Sequence, residues 1–339
     1  MTAARAIKIM EVCGTHTSSI FRSGLRSVLP EGVRLVSGPG CPVCVTPSAY
    51  IDRCVSFAMR PGHALVSFGD MLKVPGSGGS FPRSLDEAKG AGGRVEMVYS
   101  PFETLALAER EPDTVFIVAA VGFETTAPAY ALLIDELIAR GVRNVRLLTS
   151  LRSAIRAIEW ICENERDIDG FLCPGHVSVI TGSAVYAPVA EKYGKPFVVG
   201  GFEPRHLSEA VDELIRLAEK GGAAVVNRYV ETVSEAGNEK ARAVIASYFE
   251  MRDSAWRGLG AVADSGYYLR GEYAGFDAGS FGIEAEEILP EGCRCTEVIT
   301  GRIDPNECPL FAGVCAPGNA VGPCMVSAEG ACGIWYRNV

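Results

Sequence analysis

The stretch of this chain best equipped for chemistry is Gly38-Pro-Gly-Cys41-Pro-Val-Cys44, which puts two thiols two residues apart on a glycine- and proline-rich turn. The β-branched run Val33–Ser37 before it reads as a strand. Thr46-Pro47 after it predicts an N-cap and a proline at the first helical position, opening a helix that runs to about Met59. Cys44 then stands just ahead of a helix N-terminus, where partial positive charge favours the thiolate that attacks disulfides and binds soft metals. A Cys-x-x-Cys beside a β-α unit reads as a redox pair. The competing reading is half of a zinc site, which would need a second closely spaced pair nearby.

Other reactive side chains occupy turns of the same kind. Ile7–Val12 reads as a strand leading into Cys13-Gly-Thr-His16, followed by a helix with Ile20, Phe21, Leu25, Val28 and Leu29 on its apolar side. Open α/β sheets bind ligands at the carboxyl ends of their strands, which makes Cys13 a candidate. His16 reads as a second ligand or a general base, or as a helix-capping histidine. Glu124, in Gly122-Phe-Glu-Thr-Thr after the apolar strand 113–121, is a candidate acid, or merely a favourable charge at a helix N-terminus. His176 sits in Pro174-Gly-His, directly after Phe171-Leu-Cys173.

The elements that must hold these residues alternate strand and helix. Strands are predicted at 64–68, 95–99, 113–121, 145–149 and 223–229, with helices at 84–87 onward, 101–111, 129–140, 154–165 and 207–220, which implies parallel sheets with right-handed crossovers. Cys54 and Cys162 fall on apolar helix faces and read as core. The glycine- and proline-rich loop 73–82 is long enough for a flap or docking surface. Pro39 to Thr46 aligns with Pro174 to Thr181 at a constant offset of 135, which predicts two related α/β domains facing a cleft, with Cys41 and His176 at equivalent turns. Chance likeness of two strand-turn-helix units is the alternative. A polar-faced helix over 235–252 reads as a connector.

The 339 residues are 48% hydrophobic and 22% charged, an ordinary globular composition with a formal charge of -9, so nucleic acid and anionic membranes gain no electrostatic support as partners. With no apolar run of membrane-spanning length and no secretory leader pattern, a cytoplasmic location is expected. Twelve cysteines in a reducing compartment then call for metal binding or thiol chemistry. From Trp256 onward periodicity is lost, and Cys293, Cys295, Cys308, Cys315, Cys324 and Cys332 follow. Their wide gaps lack zinc knuckles and suit a cubane iron–sulfur cluster that would organise the tail, though counting alone does not say which four of the six bind.

Taken together, Cys-Gly-Thr-His at 13–16, Gly-Pro-Gly-Cys-Pro-Val-Cys at 38–44, Gly-Phe-Glu-Thr-Thr at 122–126, Pro-Gly-His at 174–176 and the cysteine-rich tail closely resemble the HypD family of hydrogenase maturation factors, over nearly the whole chain. The resemblance implies two similar α/β domains, at 13–110 and 111–232, and an iron–sulfur domain formed by 1–12 and 255–339, joined through a helix at 233–254. It implies a [4Fe-4S] cluster on Cys293, Cys308, Cys315 and Cys332, leaving Cys295 and Cys324 over. It also implies an iron-binding thiol at Cys13, a redox pair at Cys41 and Cys44, and further cleft residues at His16, Glu124 and His176. The implied role is a redox-active scaffold rather than a conventional turnover enzyme. With the small chaperone HypC it would carry the Fe(CN)2CO group of [NiFe] hydrogenases, cyanide arriving from HypE, and on its own it would be a monomer. A cluster-dependent thiol-disulfide reductase and a zinc-stabilised interaction protein are the competing readings.

Overall fold

A computed structural model describes residues 6–77, 82–283 and 289–339. Positions 78–81 of the 73–82 loop, 1–5 of the leading segment and 284–288 of the tail lie outside the described residues. In chain order the elements are β1 (Ile7–Glu11), α1 (Gly14–Arg22), β2 (Val33–Ser37), α2 (Ser48–Ala58), β3 (His63–Ser67), α3 (Leu85–Gly90), β4 (Val95–Met97), α4 (Glu103–Arg110), β5 (Val115–Gly122), α5 (Ala127–Ala139), β6 (Val145–Arg152) and α6 (Ala154–Asn164). They continue with β7 (Gly170–Cys173), α7 (Gly175–Thr181), α8 (Ala187–Tyr193), β8 (Pro196–Val199), α9 (Pro204–Lys220), β9 (Ala224–Asn227), α10 (Glu239–Tyr248), β10 (Phe249–Trp256) and β11 (Gly260–Leu269). The tail carries α11 (Cys295–Ile299), α12 (Pro323–Val326) and α13 (Ala331–Asn338).

The expected α/β architecture is present as two sheets, but the chain does not divide between them at residue 110. A wholly parallel sheet runs β2-β1-β7-β8-β9, and a second runs β10-β11-β6-β5-β3-β4, parallel except at the hairpin β10–β11 and its antiparallel pairing with β6. Segments 13–110 and 111–232 therefore each contribute strands to both sheets. Residues 7–11, assigned to the tail domain from sequence, form a strand between β2 and β7. The physical reason is the crossover. After α2 the chain leaves the first sheet, completes most of the second, and returns as β7 on the other side of β1.

Two further expectations change. The helix placed over 235–252 is α10 alone, because Phe249–Trp256 and Gly260–Leu269 pair as strands, with Phe249, Trp256, Val262 and Leu269 turned inward. The alternation was masked by glycines and tyrosines that read as loss of periodicity. The two copies of the repeat also lie in one sheet rather than in facing domains: β2 and β7 flank β1, so the turn holding Cys41 and the turn holding His176 stand on either side of Cys13. This is where the strand order reverses, the usual ligand position of an open α/β sheet. One buried cluster joins the two sheets and the tail, with Val12, Val45, Leu65, Ile117, Phe171, Trp256 and Cys295 among its members.

The tail is fastened to the first sheet. Arg302 pairs with the buried Glu165, Arg34 with Asp304, and a Cβ on Gly301 would press into Val36 and Met10. Trp335 of α13 meets Phe21 of α1 edge-on at 5.1 Å, and the Arg26 guanidinium lies over both rings.

Candidate functional site

Cys13 is the residue at which β1 becomes α1. Its backbone is extended and its side chain is buried. The turn after β2 presses against it: Gly38 N–H donates to Glu11 O at 2.9 Å, and a Cβ on Gly40 would stand 2.6 Å from Cys13 N. Only glycine permits that approach. Cys41 and Cys44 are joined as a disulfide, and Cys44 N–H donates to Cys41 Sγ. The helix cap is Pro47 rather than the expected Thr46, whose hydroxyl instead donates to Pro42 O at 2.8 Å and meets Ser150 Oγ at 2.9 Å.

Cys13, Cys41 and Cys44 line one narrow cavity, about 10 Å³, which is about enough for one water. Its wall also takes in Glu11, Ser37 and Glu329, none of them singled out from the sequence, and Cys324 of the tail. Glu11, paired with Arg26 at 2.5 Å, lies across the strand pair from Ser37, and both are buried. Glu329 reaches in from the tail, accepting from the Thr15 hydroxyl at 3.4 Å, and Cys324 forms the far side. Glu11 was visible in the sequence as the one carboxylate of an otherwise apolar strand end; Glu329 carried no such signal. Burial pushes the Cys13 thiol up to about 11, with the Glu329 charge adding to the rise, so the thiol is protonated in ordinary buffers.

The histidines form a second group beside this cavity. His16 is wholly buried inside α1 and is no helix cap; its Nε2–H donates to Gly200 O at 3.1 Å. Burial drops its pKa to about 4, so the ring is neutral in ordinary buffers. Phe202 lies between the imidazoles of His16 and His176, with ring centres 4.6 and 4.2 Å away. Gly200 and Phe202 follow β8, which explains why no local motif announced them.

Glu124 is not brought into the Cys13 cavity. Its carboxylate caps α6, accepting from Ser153 Oγ at 2.8 Å and from the Ala154 N–H at 3.1 Å. The favourable charge–helix arrangement is thus realised at a different helix from the one that follows it in sequence. Burial raises its pKa, and it stands in the wall of a separate cavity of about 620 Å³ together with Tyr267 and Arg242.

All six tail cysteines line one apolar cavity. Burial and the neighbouring Cys295, Cys308 and Cys315 push the Cys293 thiol up to about 12, and Cys332 is raised by burial and by Cys295, Cys315, Cys293 and Cys308. Sulfurs that would repel one another as thiolates, and so keep Cys293 and Cys332 protonated here, are a donor set suited to an all-thiolate, cationic centre. Among the described residues, no three His, Cys, Asp or Glu side chains converge to hold a single metal ion. The two cysteines left over by the resemblance meet each other, Cys295 Sγ lying 3.1 Å from Cys324 Sγ. Cys324 lines both this cavity and that of Cys13, Cys41 and Cys44. Cys54, Cys162 and Cys173 are buried away from both cavities, as core residues.

The fold is thus an α/β protein that sets a buried thiol and a disulfide together at the switch point of a parallel sheet, backed by a pocket lined by six cysteines. The HypD family model, described as "Hydrogenase formation hypA family", matches residues 1–339. The chain is 42% identical to the hydrogenase maturation factor HypD of Azotobacter vinelandii over 98% of its own length and 89% of that protein's. It is 41% identical to HypD of Escherichia coli K12, over 99% and 90% of the two chains. The figure is 43% for HypD of Rhizobium leguminosarum bv. viciae, over 97% and 87%. This chain belongs to the HypD family of hydrogenase maturation factors. Among the described residues, no helix is long and apolar enough to cross a membrane.

Proposed function

We propose that this chain, with a small chaperone of the HypC type, is the scaffold on which the Fe(CN)2CO unit of [NiFe] hydrogenase is assembled, cyanide arriving from a HypE-type donor. The observation that supports this most directly is the shared wall: Cys13 opens to the same cavity as the Cys41–Cys44 disulfide, and Cys324 continues from there into the six-thiol pocket. Cys13 is the iron-binding thiol, a soft donor suited to low-spin iron. Cys293, Cys308, Cys315 and Cys332 would hold a [4Fe-4S] cluster, which supplies single electrons at low potential when bound.

The chain's own thiols carry the rest. The Cys295/Cys324 pair, as a dithiol, gives up two electrons and two protons and closes its disulfide. Cys41 and Cys44 take up the same two electrons and two protons as their S–S bond breaks. An iron carrying three diatomic ligands exceeds the space at Cys13, so loading requires the Glu329 loop to draw back, which a docking partner would drive. His16, neutral and hydrogen-bonded to Gly200 O, orients the Gly200 turn, and we assign proton transfer to the exposed His176, which stacks on Phe202.

The test is an infrared spectrum of the anaerobically purified complex with the small chaperone. Metal-bound cyanide and carbonyl stretches are expected, and they should vanish in Cys13→Ala while the cluster absorbance stays. Their absence from cluster-loaded protein would reject the scaffold and leave a cluster-dependent thiol-disulfide reductase, a reading that the disulfide and its neighbouring cysteine pair favour but that gives Cys13 no task.

A further inference from the structure

The turn between β10 and β11 touches the elements of both cysteine pairs. Arg257 is 1% exposed, and two of its bonds run to main-chain carbonyls directly after the disulfide. Its N–H donates to Val45 O at 2.8 Å, its Nε–H to Thr46 O at 2.9 Å, and Nη2 reaches Pro75 O at 3.3 Å in the glycine- and proline-rich loop. The next residue, Gly258, has φ +81°, and a Cβ there would stand 2.7 Å from Ile299 Cδ1 on the helix that begins at Cys295. The turn is therefore wedged between the segment after Cys44 and the helix bearing Cys295. Nothing in the local sequence of either cysteine pair points to it.

We propose that Arg257 is a positioning residue for the Cys41–Cys44 pair, its guanidinium fork tying Thr46 to Pro75 while its backbone N–H holds Val45, so that Cys44 stays beside Cys41 after the disulfide opens. This rests on the redox role given above to that pair. Reduction breaks one S–S bond and delivers one electron and one proton to each sulfur; the reductant, a dithiol, loses two of each and closes its own disulfide. When the segment after Cys44 is clamped, each thiol keeps a high effective concentration near the other, which favours the disulfide. Without the clamp Cys44 can drift, and the pair becomes easier to reduce. A guanidinium acting by charge alone would have the opposite sign, since it favours thiolate and hence the reduced form.

The experiment equilibrates the full-length protein in dithiothreitol redox buffers at pH 7 and reads the Cys41–Cys44 state by thiol trapping and mass spectrometry, in wild type, Arg257→Met and Arg257→Lys. The Met variant is expected to be reduced about tenfold more readily, which corresponds to about 30 mV, with Lys between because it keeps a donor but loses the fork. An unchanged potential in a folded Met variant overturns the proposal, even if its melting temperature falls, because that is the signature of a merely structural arginine. A shift toward harder reduction also overturns it and assigns the effect to charge. If the Met variant loses its far-ultraviolet circular dichroism, the Lys variant decides alone by the same criterion. A wild-type pair that no buffer ratio reduces refutes the redox reading itself, and the inference with it.

Discussion

Cys295 and Cys324, which are 29 residues apart in the chain, bring their sulfurs to 3.1 Å, and among the described residues Cys324 is the one cysteine that lines both the six-thiol pocket and the cavity of Cys13, Cys41 and Cys44. A pair so placed joins two sites that would otherwise be separate. Cys324→Ser should therefore retain the cluster absorbance yet slow reduction of the Cys41–Cys44 disulfide by dithionite-treated protein by at least about tenfold. Stopped-flow quenching with thiol trapping reads this, and wild-type kinetics in the variant would remove the pair from the path.

Gly40 gives a steric prediction. A Cβ there would stand 2.6 Å from Cys13 N and 2.7 Å from Val12 O, against backbone that cannot yield. Gly40→Ala should cost about 1–3 kcal/mol by overpacking and prise the disulfide turn away from Cys13. Urea denaturation measures the first effect. Faster alkylation of Cys13 by iodoacetamide measures the second, and an alkylation rate equal to wild type would show that the turn does not cover the thiol.

The tail gives a prediction about folding. Cys308→Ala should abolish the cluster colour and open the chain to protease beyond about residue 289, while β10 and β11 stay protected because they are strands of the second sheet. Cleavage within 249–269, or a digestion pattern identical to wild type, would contradict the view that the bound centre organises this region and this region alone.

His16 predicts acid sensitivity. Its folded pKa is about 4, against roughly 6.5 for the unfolded chain, so between these values the unfolded state binds a proton that the folded state refuses. Stability contributed by the neutral ring is thus complete above the unfolded value and is lost as pH falls toward 4. From pH 7 to pH 5 the loss is roughly 2 kcal/mol. His16→Gln, which can still donate to Gly200 O, should show a pH slope smaller by about that amount in urea titrations. An unaltered slope would assign the acid sensitivity to other groups.

Much of this was legible in the sequence because it was local. A strand followed by Cys-Gly-Thr-His, and a Gly-Pro turn carrying Cys-x-x-Cys, announce their own geometry through backbone preferences that act over a few residues. The alternation of apolar strands and amphipathic helices likewise announces parallel sheets, and the motif order resembles one family. The hairpin Phe249–Leu269 escaped because its pattern is that of an antiparallel edge interrupted by glycine, and the connector helix was extended into it.

What the sequence could not determine was which strands share a sheet. Strand pairing is a contest among distant segments, settled by burial and by the path of the crossover, and here it placed β1 between β2 and β7. That one outcome put Cys13 between the turns of Cys41 and His176, left Glu124 to cap α6 beside another cavity, and brought Glu329 and Cys324 from the tail against the disulfide. The residue types capable of the chemistry were written in the sequence. Their grouping into one thiol site, with a second pair behind it, depended on tertiary packing, because only a folded core holds side chains so far apart in the chain within bonding distance.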